Sequence, residues 1–420
     1  MPPDPTRHKK IQLQAIMFRI IHLSDLHCHL DVYQTRVIKA LCEDIEKIRS
    51  ESPISAVVFS GDAAAKGKTG KDEVEKILAH FISHVRLAAG ADTPFLICPG
   101  NHDIDLSKKL SLFSPIFSGI KSPDEANRLV VEANTSAAKP IWAHIEGFRN
   151  LASAIDSEAF SNHPLFYTKK TASNGVKVGF ACFNSAWMTA GGGSADYGQL
   201  YLGEHLLNMA LQELSDVDVR IAVMHHPLDW LAPEEKVLVQ RFLTLNFNGY
   251  LCGHKHNNNA ATLNSNIGSL FTSNTGCVYQ SNEHFNGYSI IDIDLINSKW
   301  ILSAREYYFQ REAFDVATRF SSTGQWETPF GVSWNSSQVA IPSEVTRAVN
   351  ERANALLLSY AASEVAPKSM GALFVEPPLS SMSEKELVAR TRGDSVSNNA
   401  YKTLLTLGNE SEAIIFIGKR

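Results

Sequence analysis

Short apolar runs alternate with amphipathic stretches along most of the first 300 positions of the chain. Five apolar runs end in Gly, Pro or polar residues, as buried strands do, at 18–23, 56–60, 94–98, 219–224 and 250–252. Three intervening stretches repeat their apolar positions with the period of a helix, at 36–49, 72–87 and 203–214. This alternation predicts an α/β fold whose core strands are buried.

Side chains that can bind a metal follow each of the five predicted strands. They occur in Asp25-Leu26-His27, Gly61-Asp62, Gly100-Asn101-His102-Asp103, His225-His226-Pro227 and Gly253-His254-Lys255-His256. Open α/β sheets place their sites at strand ends, so we expect these loops to meet. Carboxylate, amide and imidazole donors together suit Mn, Fe or Zn better than Ca or Mg. The number of candidate ligands exceeds what one ion needs and predicts two neighbouring ions.

In this order, the motifs DxH, GD, GNHD, HHP and GHxH resemble the signature of the calcineurin-like metallophosphoesterase family. The resemblance extends over roughly residues 17–295, and the five motifs together are far more specific than any one alone. It implies an α/β fold in the form of a four-layer α/β/β/α metallophosphoesterase sandwich, with two packed mixed sheets flanked by helices. The sandwich is expected to carry a helical insertion and a C-terminal extension.

The resemblance also implies how two divalent metal ions are held. The first would be bound by Asp25, His27, Asp62 and His256. The second would be bound by Asp62, Asn101, His225 and His254. Asp62 bridges in this scheme, because one carboxylate can give an oxygen to each ion. Asn101 supplies a neutral oxygen, which leaves the pair electrophilic. Mn is the favoured metal among Mn, Fe and Zn.

Three further residues receive roles beside the ions. By the resemblance, His102 stays off the metals and hydrogen-bonds or protonates the leaving group. Asp103 is expected to hold and orient that imidazole, with helix capping as the alternative. His226 contacts substrate, packs without a chemical role, or faces solvent. The reaction implied is one-step hydrolysis, in which a metal-bound hydroxide attacks phosphorus.

The motifs do not choose the substrate, because the same five serve phosphodiesterases, nucleases, phosphomonoesterases and phosphoprotein phosphatases. Their style favours a phosphodiester, either a nucleotide or a nucleic acid, over a phosphomonoester or a phosphoprotein. Two hypotheses assign the chain a function other than that of a stand-alone enzyme. In the first it is an effector or regulatory module of a larger NTPase-containing protein, and in the second it is a catalytically inactive scaffold. The intact motifs argue against the inactive scaffold, which would be expected to lose ligands.

The length of the chain predicts one large domain with smaller additions. We expect a flexible leader at 1–16, a metallophosphoesterase domain at 17–310 with a helical cap insertion at about 104–175, a helical connector and linker at 311–380, and a C-terminal segment at 381–420. The stretch 310–340 is loop-like, and 343–363 predicts an amphipathic helix. An apolar strand at 413–417 followed by Gly-Lys-Arg suggests the start of a truncated nucleotide-binding domain, so an NTPase domain beyond Arg420 is expected. The alternative is a C-terminal strand that adds to the phosphoesterase sheet.

Composition and net charge limit the classes of binding partner and the cellular compartment expected for this protein. A net charge of -5 gives no global attraction to nucleic acid, and no apolar run is long enough to cross a membrane. Six scattered cysteines without a CxxC pair predict reduced thiols and a cytoplasmic location. The glycines at 191–193 predict either a mobile loop near the site or an ordinary linker.

Overall fold

The computed structural model describes residues 17–109, 114–173, 175–281, 284–295 and 297–330. These residues belong to the first of two compact units, which divide between Gln338 and Val339. The expected leader at 1–16, the helix at 343–363 and the strand at 413–417 lie outside the described residues, so these expectations stay predictions. Within the described ranges, no helix is both long and apolar enough to span a bilayer.

Two mixed sheets form the centre of the described unit. Their strands are β1 (Met17–Leu23), β2 (Ala56–Phe59), β3 (Phe95–Ile97), β4 (Phe166–Ser173), β5 (Val176–Phe183), β6 (Val219–Val223), β7 (Gly249–Cys252), β8 (Asn259–Ser265), β9 (Gly268–Asn274), β10 (Gly287–Asp294), β11 (Lys299–Tyr308), β12 (Ala313–Val316) and β13 (Gln325–Pro329). The first sheet has the order β12-β11-β10-β1-β2-β3, with β13 also paired to β11. The second has the order β4-β5-β6-β7-β9-β8.

Helices connect the strands and flank both sheets. They are α1 (Val32–Glu51), α2 (Lys71–Ile77), α3 (Ser83–Ala89), α4 (Ser114–Gly119), α5 (Pro123–Val131), α6 (Glu146–Ile155), α7 (Glu204–Glu213) and α8 (Pro233–Asn246). A π turn at Leu78–Ile82 joins α2 to α3. α1 begins where the Asp31 carboxylate accepts a hydrogen bond from the Gln34 N–H at 2.7 Å, as a helix N-cap does. The three helices predicted from periodicity are all present.

The two sheets pack face to face. Phe18 of β1 lies 6.2 Å from Phe180 of β5, and Trp300 of β11 stacks on Phe271 of β9 at 4.4 Å between ring centroids. Apolar residues of α1, α3 and α6 join the cluster that holds these rings, whereas α4, α5, α7 and α8 share a second cluster with the second sheet. The predicted sandwich of two mixed sheets between helical layers is confirmed.

The end of the expected insertion differs from the prediction. Helices α4, α5 and α6 and a 3-10 stretch at Ser136–Ile145 lie within it, but residues 166–173 form β4 rather than part of a cap. β4 pairs with β5 along its whole length, from Phe166 opposite Phe183 to Ser173 opposite Val176. Its polar residues lie on an exposed edge strand, which explains why the apolar pattern did not reveal it.

The expected boundary at residue 310 was placed too early. Residues 311–330 are not a loop-like connector, because β12 and β13 both add to β11. Phe314 of β12 packs at 5.5 Å from Tyr288 and 5.3 Å from Tyr307, and Trp326 of β13 lies 6.0 Å from Phe271. Ser, Thr and Gly between these strands form turns, and tertiary packing selects the extended conformation on either side of them.

A buried ion pair gives the fold a stability test. Asp44 of α1 accepts hydrogen bonds from Arg305 of β11 and, at 2.7 Å, from the Tyr288 hydroxyl. Asp44→Ala would leave both partners unsatisfied, so the free energy of unfolding is expected to fall by about 3–5 kcal/mol. Urea unfolding measures it. Glu43→Ala, which removes the adjacent exposed pair with Lys39, is the control and is expected to cost less than about 1 kcal/mol; equal losses would contradict the prediction.

Candidate metal centre

The predicted ligands leave the carboxyl ends of parallel strands. They follow β1 (Asp25 and His27), β2 (Asp62), β3 (Asn101), β6 (His225) and β7 (His254 and His256). Because β1, β2 and β3 are mutually parallel and β6 is parallel to β7, these loops open at one edge of each sheet. Four groups of ligand atoms each lie within 4.8 Å of one another: Asp25, His27 and His256; Asp25, Asp62 and His225; His225, His226 and His254; and His27, Asp62 and His102.

Five of the seven predicted ligands have left-handed backbones. Their φ values are 56° for Asp25, 46° for His27, 58° for Asp62, 73° for His254 and 49° for His256. L residues rarely adopt this conformation, and holding one there costs about 1–3 kcal/mol. Such residues persist only where the surrounding fold over-determines them, and they concentrate at functional sites. The strained backbones therefore indicate that the functional site lies at this edge of the sheets.

Backbone hydrogen bonds impose the conformation of the loop after β1. The N–H groups of Leu26 and His27 both donate to the Asp62 carbonyl oxygen at 2.9 Å. The fully buried Gln34 side chain donates to the Leu26 carbonyl oxygen at 2.7 Å. These bonds hold the loop after β1 against the loop after β2 without a contribution from a metal ion.

One group of donors lies between the loops after β1 and β7. His256 Nε2 lies 3.0 Å from Asp25 Oδ1 and 3.3 Å from His27 Nε2. His27 Nε2 is also 3.8 Å from Asp25 Oδ1 and 4.0 Å from Asp62 Oδ2. Two imidazoles and two carboxylates thus point their ring nitrogens and oxygens at a common space, as ligands of a single cation do.

A second group of metal-binding atoms lies on the other side of the same oxygen, Asp62 Oδ2. His225 Nε2 lies 3.2 Å from Asp62 Oδ2 and 3.0 Å from His254 Nδ1. His225 Nδ1 is 2.8 Å from the Ser60 carbonyl oxygen, which can only accept a hydrogen bond, so the Nδ1 proton is fixed and the neutral ring keeps its lone pair on Nε2. Gly61 makes room for this ring, because a Cβ there would lie 2.6 Å from His225 Nδ1.

The charges within the two groups of metal-binding residues favour a bound cation. Burial opposes ionisation of Asp62, but the His225 imidazole holds its pKa well below its usual range. Burial also opposes ionisation of Asp25, yet its pKa falls to about 2 because His256 hydrogen-bonds it. For His225, burial is outweighed by Asp62 and the pKa rises to about 9, whereas burial and His225 lower the pKa of His254 to about 3. The buried carboxylates stay ionised and attract a cation.

Asn101 supplies an independent test of whether these residues fit a metal pair. Its Oδ1 atom is buried and has no hydrogen-bond partner. An unsatisfied buried acceptor costs about 1–3 kcal/mol, so it calls for a partner that the protein itself does not provide. Together with the imidazole and carboxylate groups of His225, His254 and Asp62, the orphaned oxygen matches the donor set of a divalent ion such as Mn, Fe or Zn. The residues therefore fit the implied metals.

His102 lies beside the ligands, at the entrance side of His27. Its ring meets the His27 ring edge to face at 4.7 Å between centroids. Its backbone N–H donates to Asp62 Oδ1 at 2.7 Å, and its Nδ1 accepts a hydrogen bond from the Lys66 N–H at 3.3 Å. With Nδ1 acting as acceptor, the proton of the neutral ring sits on Nε2, which makes Nε2 a donor.

Asp103 follows the alternative expectation, helix capping, because it accepts the N–H of Gly100 at the start of the 3-10 turn Asn101–Asp103. Its carboxylate does not hold the His102 imidazole but accepts backbone N–H bonds from Asp62 at 2.8 Å, Ala64 at 2.7 Å and Gly100 at 2.9 Å. Burial and the charge of Asp62 raise the pKa of Asp103 to about 7, against the effect of these bonds. Asp103 therefore shapes the turns that carry Asp62 and Asn101.

His226 is fully buried, so the solvent-facing alternative is wrong. Its Nδ1 lies 3.0 Å from the Ser185 hydroxyl, and its Nε2 has no hydrogen-bond partner. Burial, with His225 beside it, holds the pKa of His226 well below its usual value, which keeps the ring neutral.

Several contributors were not identifiable from residue type. The Ser60 carbonyl orients His225, and Gln34 fixes the loop after β1. Asp196 accepts a hydrogen bond from the Gly192 N–H and so holds the glycine-rich segment at 191–193. Backbone carbonyls carry no sequence signal. A buried Asp beside three glycines was the only available hint for Asp196.

The profile of the calcineurin-like phosphoesterase family matches residues 18–258, which span all five metal-binding loops. The chain belongs to this family. The uncharacterized metallophosphoesterase-like protein YydB of Bacillus subtilis (strain 168) is 24% identical over 287 residues, which is 67% of this chain and 58% of YydB. The chain thus spans less than two thirds of that relative's length.

The chain is also similar to solved structures of low sequence identity. A dimetal phosphatase from Danio rerio is 12% identical, covers 69% of this chain and 96% of its own, and superposes with a TM-score of 0.42. The NAD nucleotidase NadN of Haemophilus influenzae is 11% identical, covers 72% of this chain and 54% of its own, and has a TM-score of 0.36. Members of the calcineurin-like phosphoesterase family are generally dimetal phosphoester hydrolases.

Asp62 belongs to both groups of metal-binding residues, so its substitution tests whether the two ions share this ligand. Asp62→Ala removes the carboxylate that reaches both groups of donors, so both ions are expected to be lost. Elemental analysis after dialysis against Mn²⁺ measures this. His80→Ala, at an exposed histidine on the π turn, is the control and is expected to leave two ions bound. Two tightly held ions in the folded Asp62 variant would contradict the assignment.

Proposed function

We propose that this protein hydrolyses a phosphodiester with the help of two divalent metal ions. The observation that carries the proposal is the convergence of metal-binding atoms: His225 Nε2 lies 3.2 Å from Asp62 Oδ2 and 3.0 Å from His254 Nδ1, and the buried Asn101 Oδ1 has no hydrogen-bond partner in the protein. Asp25, His27, Asp62 and His256 would hold one ion, and Asp62, Asn101, His225 and His254 the other. When bound, such a pair supplies an activated water and neutralises charge on the phosphoryl oxygens.

The protein's own residues supply orientation and a proton. Strained, hydrogen-bonded loops hold the ligands in place, so little reorganisation accompanies binding of the phosphoryl group. His102 would hydrogen-bond the leaving oxygen from Nε2, because its Nδ1 accepts the Lys66 N–H. Transfer of a proton to that oxygen would use the imidazolium form of His102, in which Nδ1 is protonated and gives up this bond. Asp103 keeps the turns around Asp62 and Asn101 in register and does not touch substrate. No side-chain nucleophile is required by this scheme.

His102→Ala tests the proton donor. The variant loses the side chain but keeps the backbone N–H bond to Asp62, so metal content is expected to stay at two ions. The rate is expected to fall about 10²–10⁴-fold for a diester with an alkyl leaving group. The loss should be far smaller for bis-p-nitrophenyl phosphate, whose leaving group needs little protonation. Equal losses on both substrates would contradict the role, and His80→Ala is the control for both rates.

An aromatic pair beside the metal centre favours a substrate that carries a planar ring. The Trp230 ring lies 3.9 Å from the His254 ring between centroids, at 80°. Tyr197 meets Trp230 edge to face at 5.4 Å and is 54% exposed. Such rings offer a stacking surface directly beside the ligand His254, and stacking accepts any base. A nucleotide or a nucleic-acid end therefore fits better than a phosphoprotein.

The aromatic pair has its own test. Tyr197→Ala is expected to raise KM for thymidine 5′-p-nitrophenyl phosphate about tenfold, from the stacking energy of about 1–3 kcal/mol per base. KM for methyl p-nitrophenyl phosphate, which shares the leaving group but lacks a base, should not change. Tyr197→Phe keeps the ring and is the matched control. An equal change of KM for both substrates would show that Tyr197 does not select the nucleoside.

The six cysteines support the cytoplasmic location that forms part of this proposal. All of them are free thiols. Burial raises the pKa of the Cys28 thiol to about 11 and that of Cys252 to about 12, so neither is poised as a nucleophile or a metal ligand at neutral pH. Unreactive thiols of this kind are typical of proteins in a reducing compartment.

A further inference from the structure

A glycine-rich segment, Thr189–Tyr197, forms a fixed loop above the metal centre; we call it the glycine loop. Gly191, Gly192 and Gly193 have φ values of 119°, 87° and 62°. The loop closes around the buried carboxylate of Asp196, which accepts N–H bonds from Ala190 at 2.7 Å and Gly192 at 2.6 Å. The Thr189 hydroxyl also donates to it. The loop is therefore neither an ordinary linker nor a cradle for phosphate, because its own carboxylate occupies these two N–H groups.

The helical insertion anchors the start of the glycine loop. The Lys109 ammonium group donates to the carbonyl oxygens of Met188 at 3.2 Å and Thr189 at 3.0 Å. His144 Nε2 lies 2.9 Å from the Trp187 carbonyl oxygen. Three successive carbonyl groups are thus tied to the insertion, so the loop cannot drift away from the core without breaking buried hydrogen bonds.

The other end of this arrangement meets Asn101. A Cβ atom added to Gly192 would lie 2.8 Å from Asn101 Nδ2 and 3.5 Å from Asn101 Cγ, whereas one added to Gly193 would meet nothing within 4 Å. The loop backbone therefore packs against the nitrogen side of the amide. The oxygen of the same amide is the buried atom that lacks a partner.

We propose that Gly192 and Asp196 are positioning residues that hold the Asn101 side chain in place at the metal centre. Because Gly192 has no Cβ, the loop held by Asp196 can lie close against the Asn101 amide and limit how far this side chain turns away from the other ligands. The inference rests on the proposed metal pair, and it gives the insertion a role: Lys109 and His144 hold the loop that holds the ligand.

Gly192→Ala and Gly193→Ala form the matched pair that tests this inference. Both glycines have positive φ, so both substitutions strain the loop, but only the methyl group at position 192 meets Asn101, which must move aside. In Gly192→Ala the affinity for one of two Mn²⁺ ions is expected to fall about 10–100-fold, as when a residue supporting a metal ligand is lost. Gly193→Ala should bind both ions like the unsubstituted protein.

Equilibrium dialysis with Mn²⁺ measures stoichiometry and affinity without reference to activity. Electron paramagnetic resonance adds a signature that a merely structural role would not move: a coupled Mn pair should give way to the six-line signal of isolated Mn²⁺ in Gly192→Ala only. Thermal unfolding of the metal-free variants checks that both lose similar stability. Asp196→Asn, which turns one acceptor into a donor against N–H groups, should weaken the same single ion.

The outcomes separate this inference from the proposed function. If the unsubstituted protein binds two ions and hydrolyses diesters while Gly192→Ala binds both with unchanged affinity, the inference is overturned and the function stands. Equal loss of one ion in both glycine variants would also overturn it, since strain alone would then be the cause. If the unsubstituted protein binds fewer than two ions, the proposed function and this inference fail together.

Discussion

Asp62 is the group on which the rest of the site depends. Its carbonyl oxygen accepts the N–H groups of the loop after β1, its own N–H donates to Asp103, and its carboxylate meets His102 and His225. One buried residue thereby joins four loops from both sheets. A buried carboxylate is tolerated only with compensating positive charge or donors, so the surrounding loops must supply them and their geometry follows.

The same constraint explains why strain and charge occur together. The imidazoles of His225 and His256 stabilise the ionised carboxylates of Asp62 and Asp25, whereas left-handed backbones at five ligand positions raise the free energy of the metal-free fold. Cations that bind the folded protein but not the unfolded chain would offset this, and the stability of the unit would then depend on metal concentration. The apolar contact between the two sheets, not the site, has to hold the metal-free protein together.

The insertion belongs to the site through contacts rather than through motifs. Its residues contribute none of the seven ligands, yet Lys109 and His144 bind the carbonyl groups that begin the glycine loop. Asp196 and Gly192 continue this chain of contacts to Asn101. Orientation of one amide by a segment some 90 residues away in sequence shows how a family's common ligands can be tuned by the parts in which its members differ.

The sequence by itself determined the types of the core elements, the loops that carry ligands, and the ligand chemistry, because strand ends followed by Asp, His and Asn form a local pattern. Tertiary structure alone decided the extent of the first sheet, since β12 and β13 are short and are stabilised by pairing with β11. It also decided that Asp103 holds backbone rather than His102, and that Ser60 and Asp196 orient ligands. These roles rest on hydrogen bonds between residues distant in sequence, and residue type alone does not encode such a partner.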